Sequence, residues 1–246
     1  MNFFKSAAMA AALIFLGTPP AMADGRCHDD GRIYYAVIDA GHAGREYGAT
    51  SWNGGHEYDY NQRFVRELTE RLEKEQIPYI LSGFHPDKNT LPDRTDKTGP
   101  HAVFLSFHHD SVSPIYCNLN ASPCETDYAA GYSLFVSSRN PYYGPSSGIA
   151  SEIAAELRRE GFKNSVHHAE NIPGEGRPML DRNGVFQFDD LVVLRKSRGP
   201  AVLMEIGVIV NRRDEARISS RKVRSRYIDA VVRVLKRHIR LDNPGS

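Results

Sequence analysis

Residues 200–207 read Pro-Ala-Val-Leu-Met-Glu-Ile-Gly, an apolar run that carries a single carboxylate, Glu205. A continuous apolar run of this length is typical of a strand that is buried on both faces of a sheet. Because an unpaired carboxylate is costly to bury, Glu205 needs either a partner or a raised pKa. Two interpretations remain open: a structural salt bridge to an arginine, and a general acid or base poised near neutral pH.

Other apolar runs, punctuated by glycine and proline, predict the rest of a sheet. With the strand at 201–206, we expect strands at 34–40, 78–82, 102–107, 132–136 and 191–194. Apolar residues at helical spacing lie between some of these strands, at 61–76 and 148–159, and after the last one, at 225–239. Strands that alternate with helices predict an α/β fold: a single domain with a mostly parallel six-stranded sheet flanked by helices. In such sheets, functional residues gather at the carboxyl ends of the strands.

The amino terminus has the pattern of a secretory signal. Lys5 precedes an uncharged apolar run at 7–16, and Ala21-Met22-Ala23 resembles a cleavage site. The run is shorter than the ~20 residues that span a bilayer, although an uncleaved anchor is the alternative. We expect a signal peptide at 1–23, a leader at 24–33, one catalytic domain at 34–241 and a tail at 242–246. Export implies the periplasm, or secretion or wall association if the cell has one membrane.

Charge and cysteine content narrow the range of partners. The chain has 31 Lys and Arg against 30 Asp and Glu, which gives no electrostatic reason to expect nucleic acid or an anionic membrane as partner. We expect a monomer with no membrane span after processing. Cys117 and Cys124 bracket a short loop, and an oxidising compartment permits a disulfide between them. Cys27 is then left over.

Three residues at strand ends or loops have the chemistry of metal ligands. His42 follows the first strand between Gly41 and Gly44, Glu57 lies at the entrance of a helix, and His108 ends the third strand. Each has an ordinary interpretation by itself: a loop histidine, a carboxylate favoured by the helix dipole, and a core histidine. Together they form the two-histidine, one-glutamate set of catalytic zinc, which leaves a fourth position for water. Glu205 then fits the general base.

Neighbouring residues in a strand point to opposite faces, so His108 and His109 cannot readily serve the same role. We leave His109 out of the ligand set. We also expect the remaining histidines of loops and of the last helix to be bystanders, namely His85, His101, His167, His168 and His238.

Five motifs, in order, resemble the N-acetylmuramoyl-L-alanine amidase family 3. The resemblance extends from about residue 34 to residue 239. The motifs are Ile38-Asp39-Ala40-Gly41-His42, the helix entry Glu57-x-Asp59-x-Asn61, Ser106-Phe107-His108, Leu194-Arg195 and the run at 200–207. Each motif alone is weak, and their order and spacing make the resemblance specific.

The resemblance implies one zinc ion per chain, held by His42, Glu57 and His108, with Glu205 catalytic. It implies peptidoglycan as the substrate, and hydrolysis of the amide between the lactyl group of N-acetylmuramic acid and L-alanine. Arg94, Arg195 and Asn211 match family positions and are candidate substrate-binding residues. For the two arginines, the role is either structural or contact with a substrate carboxylate. The loop at 137–147 is too short for the helical insertion that blocks the zinc in regulated members, which leaves an activator protein uncertain.

Two other functions remain open on the residues alone. A zinc peptidase that acts within the stem peptide would use the same ligands, and only the family resemblance separates it from the amidase. A non-catalytic peptidoglycan-binding protein would keep the fold, but it would not need both Glu57 and Glu205.

Overall fold

The computed structural model describes residues 31–42, 46–84, 90–118, 120–170, 172 and 176–240. The expected signal peptide, most of the leader, Cys27, His85 and the tail at 242–246 lie outside the described residues. The described residues belong to one compact unit. Among the described residues, no helix is both long and apolar enough to cross a bilayer.

The described strands form one sheet of seven. They are β1 (Tyr35–Ala40), β2 (Tyr79–Ser82), β3 (Ala102–Asp110), β4 (Ser133–Val136), β5 (Met179–Asp181), β6 (Val185–Gln187) and β7 (Ala201–Val208). Their order across the sheet is β2-β1-β3-β7-β4-β6-β5. The pairs β1–β2, β1–β3, β3–β7 and β4–β6 are parallel, whereas β4–β7 and β5–β6 are antiparallel. The predicted mostly parallel α/β fold is confirmed.

Helices cover both faces of this sheet. They are α1 (Glu57–Lys74), α2 (Leu91–Thr95), α3 (Tyr143–Arg159), α4 (Val192–Lys196), α5 (Arg212–Ile218) and α6 (Arg221–His238). The larger core lies between the sheet and the long helices α1, α3 and α6, whose apolar stripes are buried as their spacing predicts. The smaller core lies on the opposite face under α4. Successive residues such as Val37 and Ile38 therefore belong to different cores.

Six strands were predicted, and the sheet of seven differs from that prediction at two places. Residues 191–194 were expected to form a strand, but they lie mostly in α4, with Val193 and Leu194 buried in the smaller core. Four apolar residues fit a strand and one helical turn equally well, so their period cannot distinguish the two. Strands β5 and β6 were not predicted, and they are joined by a tight turn in which Asp181 Oδ1 accepts the Asn183 N–H.

The predicted disulfide between Cys117 and Cys124 is present. It closes a loop that follows β3 and precedes β4. In this loop the Asn118 N–H donates to the Glu125 carbonyl oxygen at 2.8 Å, so the backbone also ties its two sides together.

A buried ion pair joins α2 to the centre of the sheet. Asp39 of β1 has no solvent exposure and Arg94 of α2 is 5% exposed. Arg94 Nε donates to Asp39 Oδ1 at 2.9 Å, and the Ser106 hydroxyl of β3 donates to Asp39 Oδ2 at 2.6 Å. Every oxygen of this buried carboxylate thus has a donor, which is the condition for burying a charge without a large penalty.

Replacing Arg94 with methionine should lower the free energy of unfolding by about 3–5 kcal/mol, because Asp39 would keep a buried charge without its counter-ion. Urea denaturation followed by circular dichroism measures the change. Arg221→Met is the matched control, since the pair of Arg221 with Glu70 is exposed, and it should change stability by less than about 0.5 kcal/mol. Equal effects of the two substitutions would contradict the role assigned to Arg94.

Candidate metal centre

The three candidate ligands come from adjacent elements at one edge of the sheet. His42 follows β1, His108 lies near the end of β3, and Glu57 is the first residue of α1. Because β1 and β3 are parallel neighbours with Ala40 paired to Phe107, their carboxyl ends coincide. The backbone of His42 adopts a left-handed conformation with φ of 65°, which is uncommon for a residue other than glycine.

The carboxylate of Glu57 joins the two imidazoles. Glu57 Oε2 lies 2.9 Å from His42 Nε2, and Glu57 Oε1 lies 3.0 Å from His108 Nδ1. One ligand atom from each of the three residues lies within 4.8 Å of the others. The predicted set of His42, Glu57 and His108 therefore converges, with the side-chain atoms that could bind a metal turned towards one another.

Backbone and amide groups fix the orientation of this carboxylate. The Ala49 N–H donates to Glu57 Oε2 at 3.0 Å, and the His109 N–H donates to Oε1 at 3.2 Å. Asn61 Nδ2 donates to the same Oε1 at 3.4 Å. With these donors in place, the Glu57 carboxylate has little freedom to rotate away from the histidines.

The pKa values of Glu57 and His108 favour the protonation states that bind a metal. Burial would raise the pKa of Glu57, but the hydrogen bonds with His108 and His42 lower it well below its usual 4.5. Burial also lowers the pKa of His108 from its usual 6.5. The cluster therefore holds an ionised carboxylate and a neutral imidazole, which are the protonation states that metal coordination requires.

Two glycines leave the space that the cluster fills. A Cβ added at Gly41 would lie 2.2 Å from His108 Nε2, and one added at Gly48 would lie 2.3 Å from Glu57 Oε2 and 2.6 Å from His42 Nε2. All three distances are far below van der Waals contact, so these side chains pack directly against glycine backbone. Two imidazole nitrogens and one carboxylate, held in this glycine-lined cradle, fit a zinc ion.

Glu205 lies beside this cluster on β7. Its Cα pairs with that of His108 across the parallel β3–β7 ladder. Its Oε2 is buried, and no hydrogen bond or ion pair to this atom is present among the described residues. Burial, together with the charges of Asp110 and Glu57, raises the pKa of Glu205 well above its usual 4.5. These surroundings favour the acid–base interpretation over a salt bridge.

The remaining predicted site residues have contacts of other kinds. Arg94 is paired with Asp39, as described above. Asn211 is the N-cap of α5, where its Oδ1 accepts the N–H groups of Arg213 and Asp214 at 3.0 and 3.1 Å. Arg195 is partly buried on α4. No described hydrogen bond or ion pair joins Arg94, Arg195 or Asn211 to the three candidate ligands.

His109 points away from the candidate ligands, as the alternation of side chains along a strand predicted. Its Nδ1 lies 2.7 Å from Asn61 Oδ1, and burial lowers the pKa of His109 to about 3. A further feature of this edge was not predicted from the sequence. A second cluster joins Asp110 to His167 and His168, which we had expected to be bystanders. The adjacent histidine pair 167–168 was the available signal, but nothing in its spacing points to Asp110.

Comparisons with known proteins identify the family of the chain. A family model described as N-acetylmuramoyl-L-alanine amidase matches residues 36–237. The uncharacterized protein YqiI of Bacillus subtilis is 28% identical over 207 residues, which cover 82% of each chain. The probable cell wall amidase LytH of Staphylococcus aureus is 27% identical over 203 residues. That match covers 81% of this chain but only 56% of LytH.

Solved structures share the fold. The N-acetylmuramyl-L-alanine amidase Ami1 of Mycobacterium smegmatis superposes with a TM-score of 0.64 at 18% identity, over 84% of this chain and 97% of Ami1. An N-acetylmuramoyl-L-alanine amidase of Clostridium difficile 630 superposes with a TM-score of 0.62 at 22% identity, over 87% of this chain and all of that one. With the family model matched across nearly the whole sheet, the chain belongs to the N-acetylmuramoyl-L-alanine amidase family of peptidoglycan hydrolases.

Proposed function

We propose that the protein is a zinc-dependent amidase that hydrolyses the bond between the lactyl group of N-acetylmuramic acid and the L-alanine of the stem peptide. The observation that carries this proposal is the convergence of His42, Glu57 and His108 beside Glu205, whose Oε2 is buried and has no hydrogen-bond partner among the described residues. Family membership supports the bond that is cut, because the ligand set alone would also suit a peptidase.

One zinc ion per chain would be held by His42 Nε2, His108 Nδ1 and the carboxylate of Glu57. When bound, zinc supplies a Lewis acid that lowers the pKa of water and polarises a carbonyl oxygen. The residues around it keep its ligands in place. Asn61 is one of them, because its Nδ2 donates both to Glu57 and to the Gly41 carbonyl oxygen, the latter at 3.1 Å.

Glu205 moves the proton in this proposal. Its carboxylate accepts a proton from the attacking water as the new C–O bond forms at the lactyl carbonyl. It then returns that proton to the nitrogen of L-alanine as the C–N bond breaks, so the peptide leaves as an amine. A raised pKa suits both steps, because a general acid–base catalyst works best when its pKa lies near the working pH.

We also propose that the enzyme acts outside the cytoplasm, where peptidoglycan lies, and in the periplasm if the cell has two membranes. The Cys117–Cys124 disulfide supports this location, because disulfides persist in oxidising compartments. LytH, a relative by sequence, is described as a probable cell wall amidase.

Digestion of purified sacculi tests the reaction. We expect free stem peptides with new L-alanine amino termini, detected by mass spectrometry, and we expect a chelator to abolish their release until zinc is restored. Shortened stems that stay attached to sugar would instead identify a peptidase. Absence of release by zinc-loaded protein would identify a binding protein.

Replacing Glu205 with glutamine should lower kcat by roughly 10²–10⁴-fold, because the amide keeps the shape of the side chain but cannot carry the proton. Zinc content, measured by plasma mass spectrometry, should remain that of the unaltered protein. Glu70→Gln is the control, since Glu70 lies in an exposed ion pair. Unchanged turnover in Glu205→Gln would remove Glu205 from the mechanism.

Replacing Gly48 with alanine should weaken zinc binding roughly tenfold or more, since the new Cβ overlaps both Glu57 and His42. Gly54→Ala is the matched control. Both glycines have positive φ, 73° and 82°, but a Cβ at Gly54 meets no atom within 4 Å. Each substitution should reduce stability by about 1–2 kcal/mol through backbone strain. Equal zinc affinity in the two variants, measured by competition with a chromophoric chelator, would show that the cradle is not the metal site.

A further inference from the structure

A second group of potential metal ligands lies at the same edge of the sheet. Asp110 is the last residue of β3, and His167 and His168 begin a 3₁₀ turn that follows α3. His168 Nε2 lies 2.7 Å from Asp110 Oδ2, and His167 Nε2 lies 3.4 Å from the same oxygen. The three ligand atoms fall within 4.8 Å of one another, as they do in the first cluster.

The other polar atoms of two of these side chains are engaged elsewhere. Asp110 Oδ1 accepts the Ser111 N–H at 2.8 Å, and His167 Nδ1 lies 2.7 Å from the Ser165 hydroxyl oxygen. The ring of His168 is set edge-on to Phe135, with centroids 4.8 Å apart. Metal-binding histidines typically have their second ring nitrogen hydrogen-bonded, as Nδ1 of His167 is to Ser165, because that bond fixes the tautomer and the direction of the first nitrogen.

The spacing of the ligand atoms suits a small cation. In a tetrahedral zinc site with bonds of about 2.0–2.1 Å, ligand atoms lie roughly 3.3 Å apart. The His167–Asp110 separation of 3.4 Å has this value. The His168–Asp110 hydrogen bond must open by roughly 0.6 Å from 2.7 Å, a shift that a small side-chain rotation provides.

The side chains of the second cluster are exposed to solvent about as much as those of the first. The side chains of Asp110, His167 and His168 are 11%, 9% and 18% exposed. Those of His42, Glu57 and His108 are 29%, 6% and 12% exposed. A cation can thus reach Asp110 from solvent, while the low exposure would strengthen its binding.

We propose that Asp110, His167 and His168 form a second binding site for a divalent transition-metal ion such as Zn²⁺. Two imidazole nitrogens and one carboxylate oxygen select zinc-like ions over Ca²⁺ and Mg²⁺, which prefer oxygen ligands. His108 and Asp110 are two residues apart on β3, so their side chains leave the strand on the same side. The second ion would therefore sit at the same edge of the sheet as the first. This inference concerns metal binding alone and does not depend on which bond the enzyme cuts.

Metal counting on variants tests the proposal. Purified protein is saturated with zinc, passed through gel filtration and analysed by plasma mass spectrometry. We expect two zinc ions per chain in the unaltered protein, and one in each of Asp110→Asn, His168→Gln and His42→Gln. The control His238→Gln should keep two, because His238 lies on α6 and is paired with Glu152. Circular dichroism shows which variants are folded and can be scored.

The possible results separate the two sites. One ion in the unaltered protein that survives His168→Gln but not His42→Gln would overturn the second site and leave the first. One ion that survives His42→Gln but not His168→Gln would support the second site and overturn the zinc centre proposed for catalysis. Two ions that both survive His168→Gln and Asp110→Asn would overturn the second site. Anomalous diffraction from zinc-soaked crystals of the unaltered protein adds a measurement that needs no variant: density at Asp110 supports the site, and its absence there contradicts it.

Discussion

The edge of the sheet that carries the candidate metal centre depends on one buried carboxylate, that of Glu57. An ionised carboxylate in this position is tolerated only when its oxygens receive enough donors to replace water. Here the donors come from separate parts of the chain: the Ala49 and His109 backbone N–H groups, and the side chains of His42 and His108. Burying this one charge therefore requires the end of β1, the loop before α1 and the end of β3 to meet. The same convergence prepares three ligand atoms for a cation.

A second buried carboxylate stabilises the strands behind this edge. Asp39 lies three residues before His42, and Ser106 lies two residues before His108. The contacts among Asp39, Arg94 and Ser106 are therefore further from the edge of the sheet than the candidate ligands. Arg94 also interacts favourably with the Glu57 charge. Of the two roles predicted for Arg94, the structural one accounts for its burial. Its effect on the metal centre would then be indirect, through the positions of β1 and β3.

The sequence alone predicted the structure correctly where an apolar run was long or where two interacting residues lie close together in the chain. The runs at 34–40, 102–107 and 201–206 are long enough to specify buried strands, and parallel neighbours bring His42 and His108 to one edge. Cys117 and Cys124 are seven residues apart, so their pairing was also a local inference. The assignment of the ligand set over its ordinary alternatives, however, came from the family resemblance. The prediction for the short segment 191–194 was wrong, because a single turn of helix and a short strand have the same apolar pattern.

The second cluster could not be predicted, because it arises from a reversal in the sheet. Strand β4 runs antiparallel to β7, with Ser133 paired to Glu205, so β4 begins at the edge where β3 and β7 end. The helix α3 then returns the chain to that edge, where Tyr132 pairs with Asn164. His167 and His168 follow directly and meet Asp110, a residue nearly sixty positions earlier. In a fully parallel sheet β4 would end rather than begin at this edge, and the segment after α3 would emerge at the opposite one. The antiparallel pairing of β4 with β7 thus brings His167 and His168 to the edge of the sheet where Asp110 lies, although their own sequence gives no indication of it.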